Sequence, residues 1–167
     1  MIQVYTGNGK GKTTAALGLA LRASGAGLKV YICQFLKGRY YSELATLKKL
    51  KNIKVEQFGG RCFIRNAPSK KDMELAESGL KAAQKAISKK YYSMIILDEI
   101  NVALNLKLLK LEDVISLIKK SPKKTELILT GRNAHHKIMQ VADLVSEIKD
   151  RKHYYKKGLK ARRGIEY

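Results

Sequence analysis

Long apolar runs, cysteine, proline and acid are what this sequence has least of. No stretch approaches the roughly 20 apolar residues that cross a bilayer, so no membrane span is expected. Only two cysteines occur, Cys33 and Cys62. They are too few for a disulfide framework, and Cys33 sits in the apolar run VYICQF, where a core thiol is expected. Met1 leads directly into strand-like IQVYTG, with neither a basic n-region nor an apolar h-region, so no secretory signal is read. A reducing, cytoplasmic setting is the expectation. Proline occurs twice and the glycines are dispersed. Without a linker or an internal repeat, residues 1–167 read as a single domain, long enough to bury a real core.

Acid is scarce enough to matter. Fourteen Asp+Glu stand against 34 Lys+Arg, a formal net charge of +20. Such a field attracts polyanions, and nucleic acid is the first partner to weigh. Lysines spread over solvated helix faces, an anionic substrate and an acidic protein partner explain the same charge. The basic residues are scattered, and no aromatic-rich platform for single strands is present. Charge alone does not choose among these.

What is present is an alternation. IQVYTG reads as a strand, Thr13 to Ser24 as a helix ended by Gly25 and Gly27, and residues 29–36 as a strand. Ser42 is read as the cap of a short helix carrying Leu44, Leu47 and Leu50, and residues 53–58 as a strand. Met73, Ala76, Leu80, Ala83 and Ile87 step by 3, 4, 3 and 4 along an amphipathic helix. SMIILDE, LEDVISLIKK (111–120), ELILTGR (126–132), HHKIMQVA and LVSEIKD follow as strand, helix, strand, helix and strand. The tail KHYYKKGLKARRGIEY has no clear period. Continuously apolar strands between helices indicate an α/β fold, a mostly parallel sheet with helices on both faces. In such sheets the site lies beyond the C-terminal strand ends. The loop 6–14, the acids 98–99 and the turn 131–132 should therefore converge on one edge.

The loop YTGNGKGKTTAA resembles a phosphate-binding P-loop, but its count is short. The pattern G-x-x-x-x-G-K-[ST] places Thr6, not glycine, at the first position. Gly7, Gly9 and Gly11 allow backbone N–H groups to turn inward, and the helix that follows adds its positive end. Lys12 brings a full charge to phosphate oxygens, Lys10 a second, and the Thr13 hydroxyl can ligate Mg²⁺. Asp98 and Glu99, closing an apolar strand, supply the carboxylates such a metal needs. Arg132 could clamp a phosphate through its planar fork. The plainer alternatives are a glycine-rich turn, a helix cap at Asp98 and a surface ion pair at Arg132.

On YTGNGKGKTTAALGLALRASGAG, VYICQFLKG, MIILDEI, LEDVISLI, LTGR, ADLVSEI, KH and GLKARRGIEY, the chain resembles the ATP:corrinoid adenosyltransferases of the bacterial CobA/CobO/BtuR type. The resemblance runs over almost the whole length. It implies a RecA-like P-loop fold, homodimers, and transfer of the 5′-deoxyadenosyl group of ATP to the Co(I) of a reduced corrinoid. Adenosylcobalamin or its precursor forms, and triphosphate leaves. It implies that the short loop seats the triphosphate reversed, presenting the ribose C5′ rather than the γ-phosphorus. Co(I) is a strong nucleophile, so no general base is nominated, and His135, His136 and His153 are not read as acid/base groups.

Carried over by position, Gly7, Asn8, Gly9, Lys10, Gly11, Lys12, Thr13 and Thr14 form the ATP loop, with Arg22 and Arg132 as further nucleotide contacts. Thr13, Asp98 and Glu99 form the metal environment, and Lys12, Thr13 and Glu99 are the expected catalytic set. The corrinoid side is carried by GGRCFIRN, hence Gly60, Arg61 and Phe63. There Phe63 is the only aromatic, and Arg61 stands where the family has another. Many members carry an N-terminal segment that closes over the corrinoid, whereas this sequence begins at the first strand. The expectation is that the lid is missing or that another segment does its work. An acidic reduced flavoprotein is the implied electron donor, and the +20 charge would steer it in. The rival readings are a nucleic-acid-stimulated RecA-like ATPase, a small-molecule kinase and a non-catalytic carrier. Nucleic acid is not the expected partner.

Overall fold

A computed structural model describes residues 1–60 and 67–167. The elements alternate as β1 (Ile2–Thr6), α1 (Lys12–Gly25), β2 (Val30–Phe35), α2 (Ser42–Leu47), β3 (Ile53–Phe58), α3 (Lys70–Ser88) and β4 (Met94–Asp98). They continue as α4 (Ile100–Asn105), α5 (Leu111–Lys120), β5 (Glu126–Thr130), α6 (His136–Gln140), β6 (Leu144–Glu147) and a 3₁₀ turn at Tyr154–Lys157. Six strands form one sheet in the order β3-β2-β4-β5-β1-β6, and all five pairings are parallel. The α/β expectation is met, with every strand pointing its C-terminal end to the same edge.

The apolar runs explain the layering. Every residue of β2 and β4 is buried, so side chains on both faces of these strands need cover. One face packs Val30, Ile32, Met94, Ile96 and Ile128 against Ala16, Ala20 and Ala23 of α1 and Leu47 of α2. The other packs Phe35, Ile95, Leu97 and Leu129 against α3, α4, α5 and α6. Burying one Ile or Leu is worth about 1.5–3 kcal/mol. Alanines at every turn of α1 bring its axis, and therefore its N-terminal end, close to the strand ends. On α3, Gly79 does the same: a Cβ there would lie 2.8 Å from Phe35 Cε1.

Several sequence expectations shift. The 73-76-80-83-87 stripe is buried except for Met73, which is 40% exposed. α3 starts at a capping box between Ser69 and Asp72. Ser42 does not cap α2. Tyr41 holds the N-cap position, and the Ser42 hydroxyl donates to the Tyr167 carbonyl, 2.9 Å away. α4 follows β4 without a loop, a helix the sequence reading lacked. β6 ends at Glu147 rather than running to 150, because the next residue is diverted to the glycine loop. Among the described residues, no helix is long and apolar enough to cross a membrane, and Cys33 is a buried thiol.

Candidate active site

The glycine loop joins β1 to α1, and its shortness has a structural cause. Thr6, at the position where a longer loop would place glycine, is the last residue of β1. Its hydroxyl accepts from the Ala134 N–H, 3.2 Å away, which ties the strand to the turn after β5. The loop is then stitched along the continuation of β6. Ile148 N–H donates to Thr6 O (2.8 Å), and Gly9 N–H donates to Ile148 O (2.7 Å). Between these bonds Gly7 has φ +95°, and a Cβ on it would sit 2.4 Å from Ile148 O. That is a backbone clash no rotamer relieves, so position 7 is glycine on two counts.

Lys12 is the first residue of α1 and is 7% exposed. Its ammonium donates to the carbonyls of Gly7 (2.8 Å) and Gly9 (2.7 Å), drawing the loop around itself. Burial pulls its pKa below the ordinary lysine value. Glu99 opposes that shift, and Arg132 adds to it. Gly11 caps α1 with φ 119°, no side chain caps the helix, and no acid lies in its first turn. The positive helix end therefore faces the loop uncompensated.

Asp98 anchors the opposite wall. It is fully buried, and both carboxylate oxygens are used. Oδ1 accepts from Thr13 Oγ1 (2.8 Å) and Thr130 Oγ1 (2.7 Å). Oδ2 accepts from Gln34 Nε2 (3.2 Å) and pairs with Lys37 Nζ at 2.8 Å. One side chain thus ties β2, β4, β5 and α1 together at the strand ends. Burial lowers the Lys37 pKa, but its charge attraction and hydrogen bond to Asp98, with help from Glu43 and Glu99, outweigh that and leave it raised. The sequence reading missed Lys37, Gln34, Thr130 and Ile148. The LKG after β2 was the available signal for Lys37; nothing local marks Ile148.

Glu99 takes the left-handed conformation (φ 64°) as N-cap of α4, and its N–H donates to Thr130 Oγ1 at 3.0 Å. The cap of α4 is therefore Glu99 and not Asp98. Burial raises the Glu99 pKa, Asp98 raises it further, and Lys37, Lys12 and Arg132 pull the other way. A raised folded value means that ionising Glu99 destabilises the fold. Glu99→Gln should therefore stabilise the protein at neutral pH by about 1 kcal/mol, roughly 2–4 °C in Tm at this size. The difference should vanish as pH falls below the ordinary glutamate value of 4.5, where both folded and unfolded chains hold the proton. Calorimetric melts of both proteins across pH 4–8 check the sign; a lower Tm for the variant at pH 7–8 would refute it.

The loop, the acids and the β5 turn do converge on one edge, since β5 lies between β4 and β1. Arg132 is exposed at that turn, within electrostatic reach of Lys12 and Glu99. Asn101 of α4 is buried beside Gly131, and its amide has no hydrogen-bond partner among the described residues. Asn8 and Thr14 are exposed on the loop and the first turn of α1. Lys10 donates to Tyr154 and Glu166. Arg22 is not brought to the loop: it is exposed in the last turn of α1, roughly 15 Å from Lys12 at 1.5 Å per residue. Gly60 follows β3, roughly 19 Å from β1 across four strand spacings. Arg61 and Phe63 lie outside the described residues.

Thr13 Oγ1, Asp98 and Glu99 are hard oxygen donors on one side of the loop, the chemistry Mg²⁺ prefers. With four donors already on Asp98, Thr13 and Glu99 are the oxygens that could hold such an ion, and Asp98 orients the Thr13 hydroxyl. The carboxylate of Glu99 takes no hydrogen bond from the described residues.

Comparison with known proteins gives a family. The family described as ATP:corrinoid adenosyltransferase BtuR/CobO/CobP matches residues 1–167. A corrinoid adenosyltransferase of Escherichia coli K12 is 34% identical over 167 residues, covering 100% of this chain and 85% of its own length. The corrinoid adenosyltransferase of Pseudomonas aeruginosa is 32% identical, with 100% and 83% covered. An uncharacterised Nostoc protein is 38% identical over 99% of this chain, which spans 48% of that relative's length.

Proposed function

The chain belongs to the BtuR/CobO/CobP family of ATP:corrinoid adenosyltransferases, and from that premise we propose that it is a one-domain enzyme moving the 5′-deoxyadenosyl group of ATP onto a reduced corrinoid. The observation that supports the reading is the clipped loop, which starts at Gly7 and is stitched to Ile148. With one residue fewer before Gly11-Lys12-Thr13, the phosphate cradle is smaller than that of a γ-phosphate-transferring NTPase, and it suits a triphosphate seated in reverse.

In the reaction, the electron pair of Co(I) attacks C5′, the cobalt–carbon bond forms, and the C5′–O bond breaks with its electrons passing to triphosphate. No proton is moved in this step, so no general base is nominated. The protein's work is to meet charge and to position. Lys12, the loop N–H groups and the helix end face the leaving phosphates, and Arg132 reaches them from the β5 turn. Thr13 and Glu99 would hold Mg²⁺, which would neutralise phosphate charge. Asp98 aims Thr13, and Lys37 pairs with Asp98 at 2.8 Å in its buried place. The corrinoid would lie toward the end of β3, near Gly60. Asn8, Lys10, Thr14 and Arg22 remain proposed nucleotide contacts. Arg22 would need a bound nucleotide that extends along α1 or a second copy in a homodimer.

Anaerobic incubation of cob(I)alamin with MgATP tests the reading. The corrinoid spectrum should become that of adenosylcobalamin, with one triphosphate released per cobalt alkylated. ADP and phosphate in its place would point to a kinase or ATPase. An acidic reduced flavoprotein is the proposed electron donor, attracted by the +20 charge. Added salt should then slow flavoprotein-driven turnover far more than turnover with a small chemical reductant. Equal slowing would reject that partner.

A further inference from the structure

Whereas Lys12 donates to loop carbonyls, Lys10 donates to the tail, and that is informative. Its ammonium donates to Tyr154 Oη (2.7 Å) and to Glu166 Oε1 (2.8 Å), and it lies 5.5 Å over the Tyr154 ring. Tyr154 Oη in turn bonds Glu166 Oε1. Arg162 closes the cluster: its backbone N–H donates to Glu166 Oε2 (2.7 Å), its Nε reaches the same oxygen at 3.3 Å, and its guanidinium stacks 5.0 Å over Tyr154. The Arg162 and Lys10 bonds, then that of Tyr154, hold the Glu166 carboxyl well below the usual carboxylate range. Next to Glu166, the Tyr167 carbonyl accepts from Ser42 at the start of α2.

The aperiodic tail is therefore fixed at two points, the loop after β1 and the start of α2 after β2. Glu166 and Tyr167, neighbours in the chain, thus tether the tail beside the glycine loop and the start of α2. The chemistry of Lys10 gives this tether a purpose. An ammonium has three donors. Two serve the tail, and the third remains for an anion in the loop.

We propose that Glu166 is a positioning residue of the nucleotide site: it fixes Lys10 as a bridge, so that a phosphate in the loop and the tail segment 154–167 across it stabilise each other. This rests on the reading that the loop binds phosphate. Reciprocity follows, because whatever the tail adds to phosphate binding, phosphate must add to tail order.

Amide hydrogen exchange of residues 154–167, with inorganic triphosphate as probe and calorimetry to measure its binding, tests the coupling. In the wild-type chain, triphosphate should slow exchange of the tail, with the Arg162 amide as the direct reporter. Glu166→Gln and Lys10→Met should each raise tail exchange about tenfold without triphosphate, leave the core strands unchanged, and abolish the slowing. Kinetically, Glu166→Gln should raise KM for ATP about fivefold with little change in kcat, and Glu166→Asp should restore part of it. The double variant should lose no more than the worse single one. Wild-type exchange in Glu166→Gln would overturn the proposal, as would faster tail exchange on adding triphosphate, since that would mean Lys10 is traded rather than shared. If triphosphate does not bind the wild-type chain, the loop reading fails, and the triphosphate-free comparison still decides whether Glu166 latches the tail.

Discussion

Lys12→Met should lower kcat/KM for adenosyl transfer about a thousandfold, most of it in kcat, while moving Tm by only a few degrees. A group that meets charge developing on a leaving group is worth about 10²–10³ in rate on its own. Lys12 does more, because the same ammonium gathers the Gly7 and Gly9 carbonyls and so shapes the loop whose N–H groups share the task. The two roles are separable. Lys12→Arg keeps the charge, but a planar fork cannot cap both carbonyls from a site that is 7% exposed. It should recover no more than a tenth of the lost rate. Stability should fall modestly: leaving the carbonyls unpaired costs about 1–3 kcal/mol, offset in part because methionine fills a similar volume and removes a cation whose burial already pulls its pKa down. Single-turnover alkylation of cob(I)alamin, alongside thermal melts, distinguishes loss of chemistry from loss of fold. A Lys12→Met chain within about tenfold of wild type would mean that the triphosphate is met elsewhere.

The sheet could be read before the structure because β2 and β4 carry apolar residues at every position, and only strands covered on both faces need that. The glycine loop between β1 and α1 was equally legible, as strand, glycines and Gly-Lys-Thr lie contiguous in the chain. Ile148 was not. It acts through its backbone, and any residue could supply the carbonyl that Gly9 binds, so no side-chain signal marks it. Lys37 was hard to read for another reason. It lies about sixty residues from Asp98, and beyond the LKG after β2 nothing in a chain with 34 Lys+Arg shows that this side chain is largely withdrawn from solvent. The tail was opaque because its order comes from bonds to Lys10 and Ser42, not from periodic burial; most of its side chains are exposed. Arg22, placed by motif on the helix after the loop, stands in the last turn of α1.

Asp98→Asn should be the most destabilising polar change in the site and should also abolish transfer. The carboxylate accepts from four donors and faces the Lys37 ammonium at 2.8 Å, with the Lys37 side chain 11% exposed. An amide can still accept through one oxygen, but its NH₂ must then confront either the Thr13 and Thr130 hydroxyls or Gln34 and Lys37. Whichever way it turns, a buried cation loses its counter-charge. Breaking such a pair from one side costs about 3–5 kcal/mol, on the order of 10 °C in Tm for a chain of this length. The double variant Asp98→Asn/Lys37→Met separates the two consequences. Removing the stranded cation should return most of the lost stability, because replacing both members of a buried pair is far cheaper than replacing one. Transfer should stay lost, because Thr13 would still lack the charged oxygen that aims its hydroxyl. Denaturant unfolding with parallel turnover assays reads both quantities. If the double variant unfolds as readily as Asp98→Asn, Lys37 is not what Asp98 neutralises. If it regains transfer with its stability, Asp98 acts through the fold alone and the Thr13 hydroxyl needs no carboxylate behind it.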